Sequence, residues 1–436
     1  MIIICPAISD VIDIIGKQSC LTNNKRESSF CVKHNLKKGC LFYNTFTKEL
    51  LFVDNDDDSN IVQNYLFENW FLVDELFDEV AFYDKFLFLY KKIKTFDNGY
   101  LSYTILTTTD CNARCFYCYE KGMHTQTMTI DTASEIANYI VKTCAVDKEI
   151  ELLWFGGEPL VNYKVIDVIC NILDEQNITY KSSMVTNGFL FENSLMAKLK
   201  MWHINGAQIT LDGTESMYNK VKSYVLDKQQ NPYHVVIDNI RTLLENDIKI
   251  SIRINVGKHN VQNIPLLIDE LNSKFKGFNN LKVYCSMLDQ EMREAKNRIK
   301  FAEIVDKMNH KIRTQTSLGT DVKNLLSKRV YMYKCMADSV DSIAILPDGK
   351  LSKCIGSAAK LMYGHIYNER MEDNVVNFYR EQKQKQPECY KCFMYPECIR
   401  LKICPSCIPQ CCEADRMMDK NRIIEAMLNE FNDYMK

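Results

Sequence analysis

The sequence predicts an α/β chain built around a partial (β/α)6 barrel, and two observations predict it. Short β-branched or apolar runs recur from Tyr103 onward at roughly 30-residue spacing, and amphipathic helical stretches separate them. Six such βα units bury their helix faces only against a common parallel sheet, which for six strands is an incompletely closed, TIM-like barrel. A chain of 436 residues, 46% of them hydrophobic, has enough material for this core and for appendages. Reactive residues are then expected at the C-terminal ends of the strands.

Residues 1–97 read as a separate small α+β domain, with a hairpin-like stretch from Cys40 to Val53 and a helical stretch from Asn60 to Lys94. The acidic loop Asp54 to Asp58 starts like a calcium loop, but Ser59 stands where the turn needs glycine and Tyr65 where a bidentate glutamate belongs. It reads as a solvated loop. Cys5, Cys20, Cys31 and Cys40 have no CxxC pairing and read as packing thiols. Residues 98–290 are the barrel, with strands expected at Tyr103 to Thr109, Ile150 to Phe155, Thr179 to Thr186, Ala207 to Leu211, Ile248 to Val256 and Leu281 to Met287. Thr132 and Glu135 read as a capping box ahead of a helix face made by Ile136, Ile140, Val141 and Cys144. Val165, Ile166, Ile169, Ile172 and Leu173 repeat that pattern in the next unit. Residues 291–334 are charged and read as a helical connector. Residues 335–436 form the last domain; as far as residue 415 it lacks core-forming periodicity, so bound metal is expected to organise it.

With 54 basic and 56 acidic residues the net charge is -2, which supplies no pull toward phosphate backbones or anionic lipid. Nucleic acid and membrane are therefore not expected partners. Met1 to Ile8 is apolar but has no basic lead-in or small-residue cleavage site, and no run reaches the roughly 18 to 20 apolar residues of a spanning helix. A soluble, cytoplasmic protein is expected. Cysteine is the compositional outlier, with 19 residues, nine of them between Cys335 and Cys412. In a large chain with no export signal such clustering points to metal ligation in a reducing compartment rather than to disulfides.

Just past the first barrel strand stands Cys111-Asn-Ala-Arg-Cys115-Phe-Tyr-Cys118. Three thiolates so close on a loop can ligate three irons of a 4Fe-4S cube and leave the fourth iron open for a substrate. A zinc knuckle is the competing reading; it needs four ligands, usually in two CxxC-type pairs, and no fourth lies nearby. The second strand ends in Trp154-Phe-Gly156-Gly157-Glu158-Pro159, where two glycines permit close backbone approach and proline fixes a turn. Thr186-Asn187-Gly188 and Leu211-Asp212-Gly213 close later strands as turns. Arg253 and Asn255 are polar groups on a barrel strand and need a ligand or a protein partner. No HExxH, Walker loop or GxGxxG competes with this centre.

This combination of CxxxCxxC and GGEP one βα unit apart resembles the radical S-adenosylmethionine (SAM) superfamily. The resemblance implies a SAM-cleaving 4Fe-4S cluster on Cys111, Cys115 and Cys118, with Tyr117 lying against the adenine. It also implies contacts to SAM from Gly156, Gly157 and Glu158, from Asn187, and from Arg253 and Asn255. An external one-electron reductant such as ferredoxin or flavodoxin is implied as a partner.

The C-terminal cysteines have their own order. Thirteen residues separate Cys335 from Gly349 and four separate Gly349 from Cys354; Cys389, Cys392, Cys398, Cys404, Cys407, Cys411 and Cys412 follow. The pattern resembles the SPASM extension of peptide-modifying radical SAM enzymes, which holds two auxiliary clusters, except that five residues rather than three lie between Cys398 and Cys404. By that resemblance one cluster takes Cys335, Cys354 and Cys404 or Cys407. The other takes Cys389, Cys392 and Cys398, closed by Cys411 or Cys412. Structural zinc on the CxxC pairs at 389/392 and 404/407 is the alternative.

Enzymes with SPASM-type extensions act on peptides or proteins. The resemblance therefore implies maturation of a cysteine-rich ribosomal precursor peptide, by hydrogen abstraction and an oxidative crosslink such as a cysteine thioether. Residues 1–97 would suit leader binding, by adding a peptide strand to a sheet edge. Formylglycine formation is a rival, although Ile355 stands after Cys354 where those enzymes carry an aspartate. Epimerisation is another, needing a cysteine donor that faces the barrel, for which Cys285 is the available residue. A zinc-stabilised peptide-binding scaffold is the non-catalytic alternative.

Overall fold

A computed structural model describes residues 1–18, 24–94, 100–118, 120–122, 124–191, 193–225, 230–288, 295–318, 326, 330, 335–337, 339–355, 362–368, 387–398 and 412–436. The chain divides into two compact units. One comprises Asn98–Thr320 and Met336–Arg380, the other Met1–Asp97, Asp321–Cys335 and Glu381–Lys436.

In chain order the elements of the N-terminal part are β1 (Ile2–Cys5), α1 (Ser9–Ile15), β2 (Lys25–Glu27), β3 (Cys31–Leu36), β4 (Gly39–Asn44), β5 (Leu50–Asp54), α2 (Ser59–Glu68), β6 (Leu72–Asp74) and α3 (Glu79–Lys94). The βα array then runs β7 (Ser102–Thr108), α4 (Ile130–Thr143), β8 (Ile150–Gly156), α5 (Tyr163–Glu175), β9 (Tyr180–Thr186), α6 (Asn193–Met196), β10 (Ile204–Thr210), α7 (Glu215–Lys222), α8 (Pro232–Glu245), β11 (Lys249–Val256), α9 (Ile264–Phe275), β12 (Leu281–Met287) and α10 (Ala295–Gln315). Three short strands, β13 (Ser342–Ile345), β14 (Lys350–Ser352) and β15 (Met362–His365), and a final helix, Cys412–Tyr434, complete the described elements.

All six expected barrel strands are present. They pair in parallel and in chain order from β7 to β12, which is the sheet of a partial barrel wound one βα unit at a time. β9, β12 and most of β11 alternate. Ile250, Ile252, Ile254 and Val256 of β11 are buried on one side, and Ser251, Arg253 and Asn255 occupy the other. The buried side faces the helices, as the bond from the Tyr103 hydroxyl to Thr143 of α4 and that from the Tyr180 hydroxyl to the Cys170 carbonyl of α5 show. Helix starts follow local chemistry: Asn231 caps α8 ahead of Pro232, and Thr129, not Thr132, caps α4 by accepting the Thr132 amide at 3.1 Å. The cap lies three residues before the expected box because Ile130 and Ala133 already join the helix. The charged α10 packs on β12, where the Asn309 side chain bonds both the amide and the carbonyl of Cys285 at 2.8 and 3.0 Å. It therefore serves as the helix of the sixth βα unit. Cys285 is buried, on the helix side of β12 with Leu281, Val283 and Met287.

The stretch Ser342–Ile345 joins this sheet as β13, parallel to β7, with β14 and β15 added antiparallel. Ile343 and Ile345 are fully buried. Four residues are too few to register as periodicity, so the sequence reading placed no strand there.

In the other unit β4 and β5 form the expected hairpin within an antiparallel sheet of order β1-β5-β4-β3. The expected single helical stretch is broken: β6 separates α2 from α3 and pairs with β2. Trp70, in the left-handed region at φ 68°, ends the first helix and turns the chain. Asp58 of the acidic loop caps α2 by accepting the amides of Asn60 and Ile61. Residues far apart in sequence share one core. Tyr395 is fully buried, stacked on Phe30 at 6.1 Å and edge-on to Tyr83, with its hydroxyl on Asp84 at 2.9 Å. The final helix contributes Ile423, Ala426 and Met427 to a second cluster around Leu41 and Tyr43.

Candidate functional site

The loop that follows β7 carries Cys111, Cys115 and Cys118, all half-buried. It lies against the end of β8, where Gly157 donates its amide to Thr108 at 3.0 Å and Glu158 donates to Asp110 at 2.9 Å. Only glycine permits this approach. A Cβ on Gly156 would lie 2.1 Å from the Thr108 carbonyl oxygen, and one on Gly157 would lie 2.3 Å from that of Asp110. Gly156 also sits at φ +130°.

Glu158 is fully buried. Its carboxylate accepts the Asn187 amide at 2.7 Å, the Thr186 hydroxyl at 2.8 Å and the Leu160 amide at 3.3 Å, tying the end of β8 to that of β9. Burial raises its pKa to about 7 against these bonds. Asn187 extends the tie to the cysteine loop, donating to the Asn112 side chain at 2.6 Å with its nitrogen 3.9 Å from the Cys111 sulfur.

A buried ion pair underlies the other side of the loop. Asp212 is fully buried and Lys222 is 2% exposed, and they meet at 3.0 Å. The Lys222 ammonium also donates to Thr210 at 2.7 Å and to the Tyr117 hydroxyl at 3.1 Å, while Tyr117 donates to Asp212. Asn255 joins through its amide on Asp212 at 3.1 Å and its side chain 3.4 Å from the Tyr117 hydroxyl. Burial alone would pull the Lys222 ammonium down, but the charge of Asp212 reverses this and lifts it well above its ordinary value. Burial pushes the Tyr117 phenol up.

Arg253 lies on the inner side of β11, bonded to Ser286 at 3.2 Å, and its buried Nε has no partner among the described residues. The Asn112 side-chain nitrogen is also buried, with no acceptor for it among the described residues. Inward positions of β10 and β12 add Gln208 and Tyr284, bonded to each other at 2.8 Å. Leu153, Phe155 and Val185 stand at the corresponding positions of β8 and β9.

The cysteine loop fits an iron-sulfur cube by its donor set and place. Burial pushes the Cys111 thiol up to about 12 and raises that of Cys118, so a bound metal would have to supply the charge that makes them thiolates. Among the described residues no three His, Cys, Asp or Glu side chains lie close enough to hold one metal ion. The spare donors of Asn112 and Arg253 are of the kind that a carboxylate- and hydroxyl-bearing cofactor accepts.

Thus Cys111, Glu158 and Asn187 of the expected site share one bonded network with Asn112, and Tyr117 and Asn255 share a second with Thr210, Asp212 and Lys222. The sequence does not single out Asn112, Thr210, Asp212 or Lys222 as site residues. Asp212 was legible only as a turn, and Lys222 resembles any lysine on an amphipathic helix. Of the auxiliary cysteines, Cys335 is exposed and Cys354 half-buried, and they belong to different units. Cys389, Cys392 and Cys398 are half-buried on one short segment, where Cys392 donates its amide to the Cys389 carbonyl at 3.3 Å. Cys404, Cys407, Cys411 and the side chain of Cys412 lie outside the described residues.

Comparison with known proteins gives one family and several relatives. Residues 105–271 match the sequence model of the Radical SAM superfamily. The radical SAM cyclopropyl synthase TigE of Paramaledivibacter caminithermalis is 28% identical over 283 residues, 57% of this chain and 58% of that protein, so the chain matches less than two thirds of its relative's length. Among solved structures, native anSMEcpe with bound AdoMet and Cp18Cys peptide aligns at TM-score 0.58 and 14% identity, over 76% of this chain and 99% of that one. Streptococcus suis SuiB bound to precursor peptide SuiA aligns at TM-score 0.50 and 14% identity, over 86% and 94%. At such identities these likenesses concern the fold.

Proposed function

The chain belongs, through residues 105–271, to the radical SAM superfamily, and from that premise we propose that it matures a ribosomal precursor peptide by an oxidative crosslink, a cysteine thioether being the favoured bond. Enzymes of this superfamily use a 4Fe-4S cluster and SAM. The observation that carries the reading is the placement of Cys111, Cys115 and Cys118 at the C-terminal mouth of a parallel barrel, braced by Gly157, Glu158 and Asn187.

When bound, the cluster and SAM supply a 5'-deoxyadenosyl radical for hydrogen abstraction, and an auxiliary cluster supplies an acceptor for the electron that crosslinking releases. The protein's part is to hold and shield. The three cysteines would hold the iron; Gly156 and Gly157 would admit SAM's amino acid end to the backbone; Asn187, Arg253 and Asn255 would donate to its polar groups; Tyr117 would pack against its adenine. Leu153, Phe155 and Val185 keep water from the radical's path. A thioether costs the peptide two hydrogens, one as the abstracted atom and one as the thiol proton together with the released electron.

Peptide as substrate class is supported by the two aligned structures, anSMEcpe and SuiB, each of which holds a bound peptide. Auxiliary clusters would use Cys335, Cys354, Cys389, Cys392 and Cys398 with members of the 404–412 group. The sheet of order β1-β5-β4-β3 offers an edge strand to a leader peptide. Epimerisation is disfavoured by Cys285, which is buried on the helix side of β12. Similarity to a cyclopropyl synthase favours carbon-carbon bond formation as the second reading.

The test is anaerobic co-expression with a short cysteine-containing precursor peptide, sought among the reading frames beside the gene. A mass loss of two hydrogens with one cysteine no longer alkylated by iodoacetamide is expected. Loss of two hydrogens with every thiol still reactive turns the reading to a carbon-carbon bond; an unmodified peptide overturns it.

A further inference from the structure

We propose that the buried Lys222–Asp212 pair sets the reduction potential of the iron-sulfur cluster held by the cysteine loop, with Lys222 as its positioning residue. The proposal rests on the reading of Cys111, Cys115 and Cys118 as cluster ligands and adds a role for residues that do not ligate iron.

The α7 terminus grips the loop by its backbone. Arg114 donates its amide to the Lys222 carbonyl at 2.8 Å, Val225 donates to the Asn112 carbonyl at 2.8 Å, and the Cys115 sulfur lies 4.0 Å from the Lys222 carbonyl oxygen. Ser223, in the left-handed region at φ 47°, ends the helix there so that the chain can turn alongside the loop. The Lys222 side chain passes back beneath the same loop. Its ammonium lies 5.8 Å from the ring centres of both Tyr117 and Tyr218, one residue of the loop and one of α7. Tyr218 bonds Tyr224 at 2.8 Å, and the Tyr224 hydroxyl is 3.5 Å from the Asn187 carbonyl. That closes a ring of contacts through Asn187 and Asn112 to Cys111.

Two opposite charges, both shut off from water, are thus built into the wall behind the cluster loop. Such a pair is held there against a desolvation penalty, and its energetic return to folding is small or negative. Fixed charges in a region of low dielectric act strongly on a cluster that gains an electron, because cluster potential follows net charge, hydrogen bonding and exposure. An ammonium favours the reduced, more negative cluster and a carboxylate opposes it. With both present the effects largely offset, and removing either one unmasks the other.

This gives signs that a merely structural role would not produce. In anaerobically purified full-length enzyme, the cluster whose EPR signal changes on adding SAM is titrated with dithionite against mediator dyes. Lys222→Met is expected to move its midpoint negative and Asp212→Asn to move it positive. The double variant and Lys222→Arg are expected to lie near the wild-type value. If Lys222→Met fails to retain iron, Asp212→Asn alone carries the sign. Single-variant shifts in the same direction, reversed shifts, or no shift overturn the proposal. A wild-type protein with no SAM-responsive EPR signal defeats the cluster reading itself, and that outcome is seen before any variant is made.

Discussion

Gly157→Ala probes the packing that brings the cysteine loop to the barrel mouth. The added methyl would stand 2.3 Å from the Asp110 carbonyl oxygen and 2.7 Å from that of Thr109, both backbone atoms with no rotamer to yield. Ordinary contact requires the two strand ends to part by about 1 Å, which stretches the 2.9 Å bond from Glu158 to Asp110 beyond hydrogen-bonding range. Losing that bond and shifting the backbone together cost about 3 kcal/mol. Asp110 immediately precedes Cys111, so the movement is passed to the first ligand. The control is Gly277→Ala, at φ +101° with nothing within 4 Å, which adds backbone strain without a clash. Urea denaturation, iron per chain and 5'-deoxyadenosine formation under dithionite are read for both variants. Gly157→Ala is expected to lose most of the cluster held by the cysteine loop, about a third of the iron if two auxiliary cubes persist, and to lose SAM cleavage several-fold, and Gly277→Ala only stability. Wild-type iron content and SAM cleavage in Gly157→Ala, or equal cluster loss in the control, would refute the argument.

Glu158, raised by burial to about 7 from an ordinary 4.5, holds its proton in the folded state over a range where the unfolded chain has released it. Stability should therefore fall as pH rises from about 4.5 to about 7 and then level, by at most about 3 kcal/mol. Glu158→Gln should flatten that part of the profile, and urea midpoints at pH 5 and 7.5 that drop equally in both proteins would contradict it. Tyr395→Ala should destabilise the unit containing residues 1–97 by about 3 to 5 kcal/mol, because the ring is fully buried against Phe30 and Tyr83. Hydrogen exchange should then rise in β4, β5 and α3, and unchanged protection there would show that residues 387–398 do not brace that core.

Much of the barrel was legible because its signals are local. A strand that alternates as Ile250 to Val256 does, or a helix face such as Val165, Ile169 and Leu173, declares its period within a few residues. The cysteine loop was legible for the same reason, since Cys111, Cys115 and Cys118 stand within one short stretch of chain. Where the reading failed, the cause was a competing local signal or too short a run. Thr132 and Glu135 imitated a cap that Thr129 supplies, Leu72–Asp74 interrupted a helical pattern, and Ser342–Ile345 was too brief to count.

By itself, then, the sequence determined the βα order, the place of the cysteine loop and the glycines that let it dock, because each is specified by neighbouring residues. Only the tertiary structure decided that Asp212 and Lys222 form a buried pair under that loop, that Glu158 spends its carboxylate on Thr186 and Asn187, and that Tyr395 completes a core with Phe30. Burial and charge pairing are properties of surroundings, and a lone lysine, aspartate or tyrosine carries no mark of what the folded chain will set beside it.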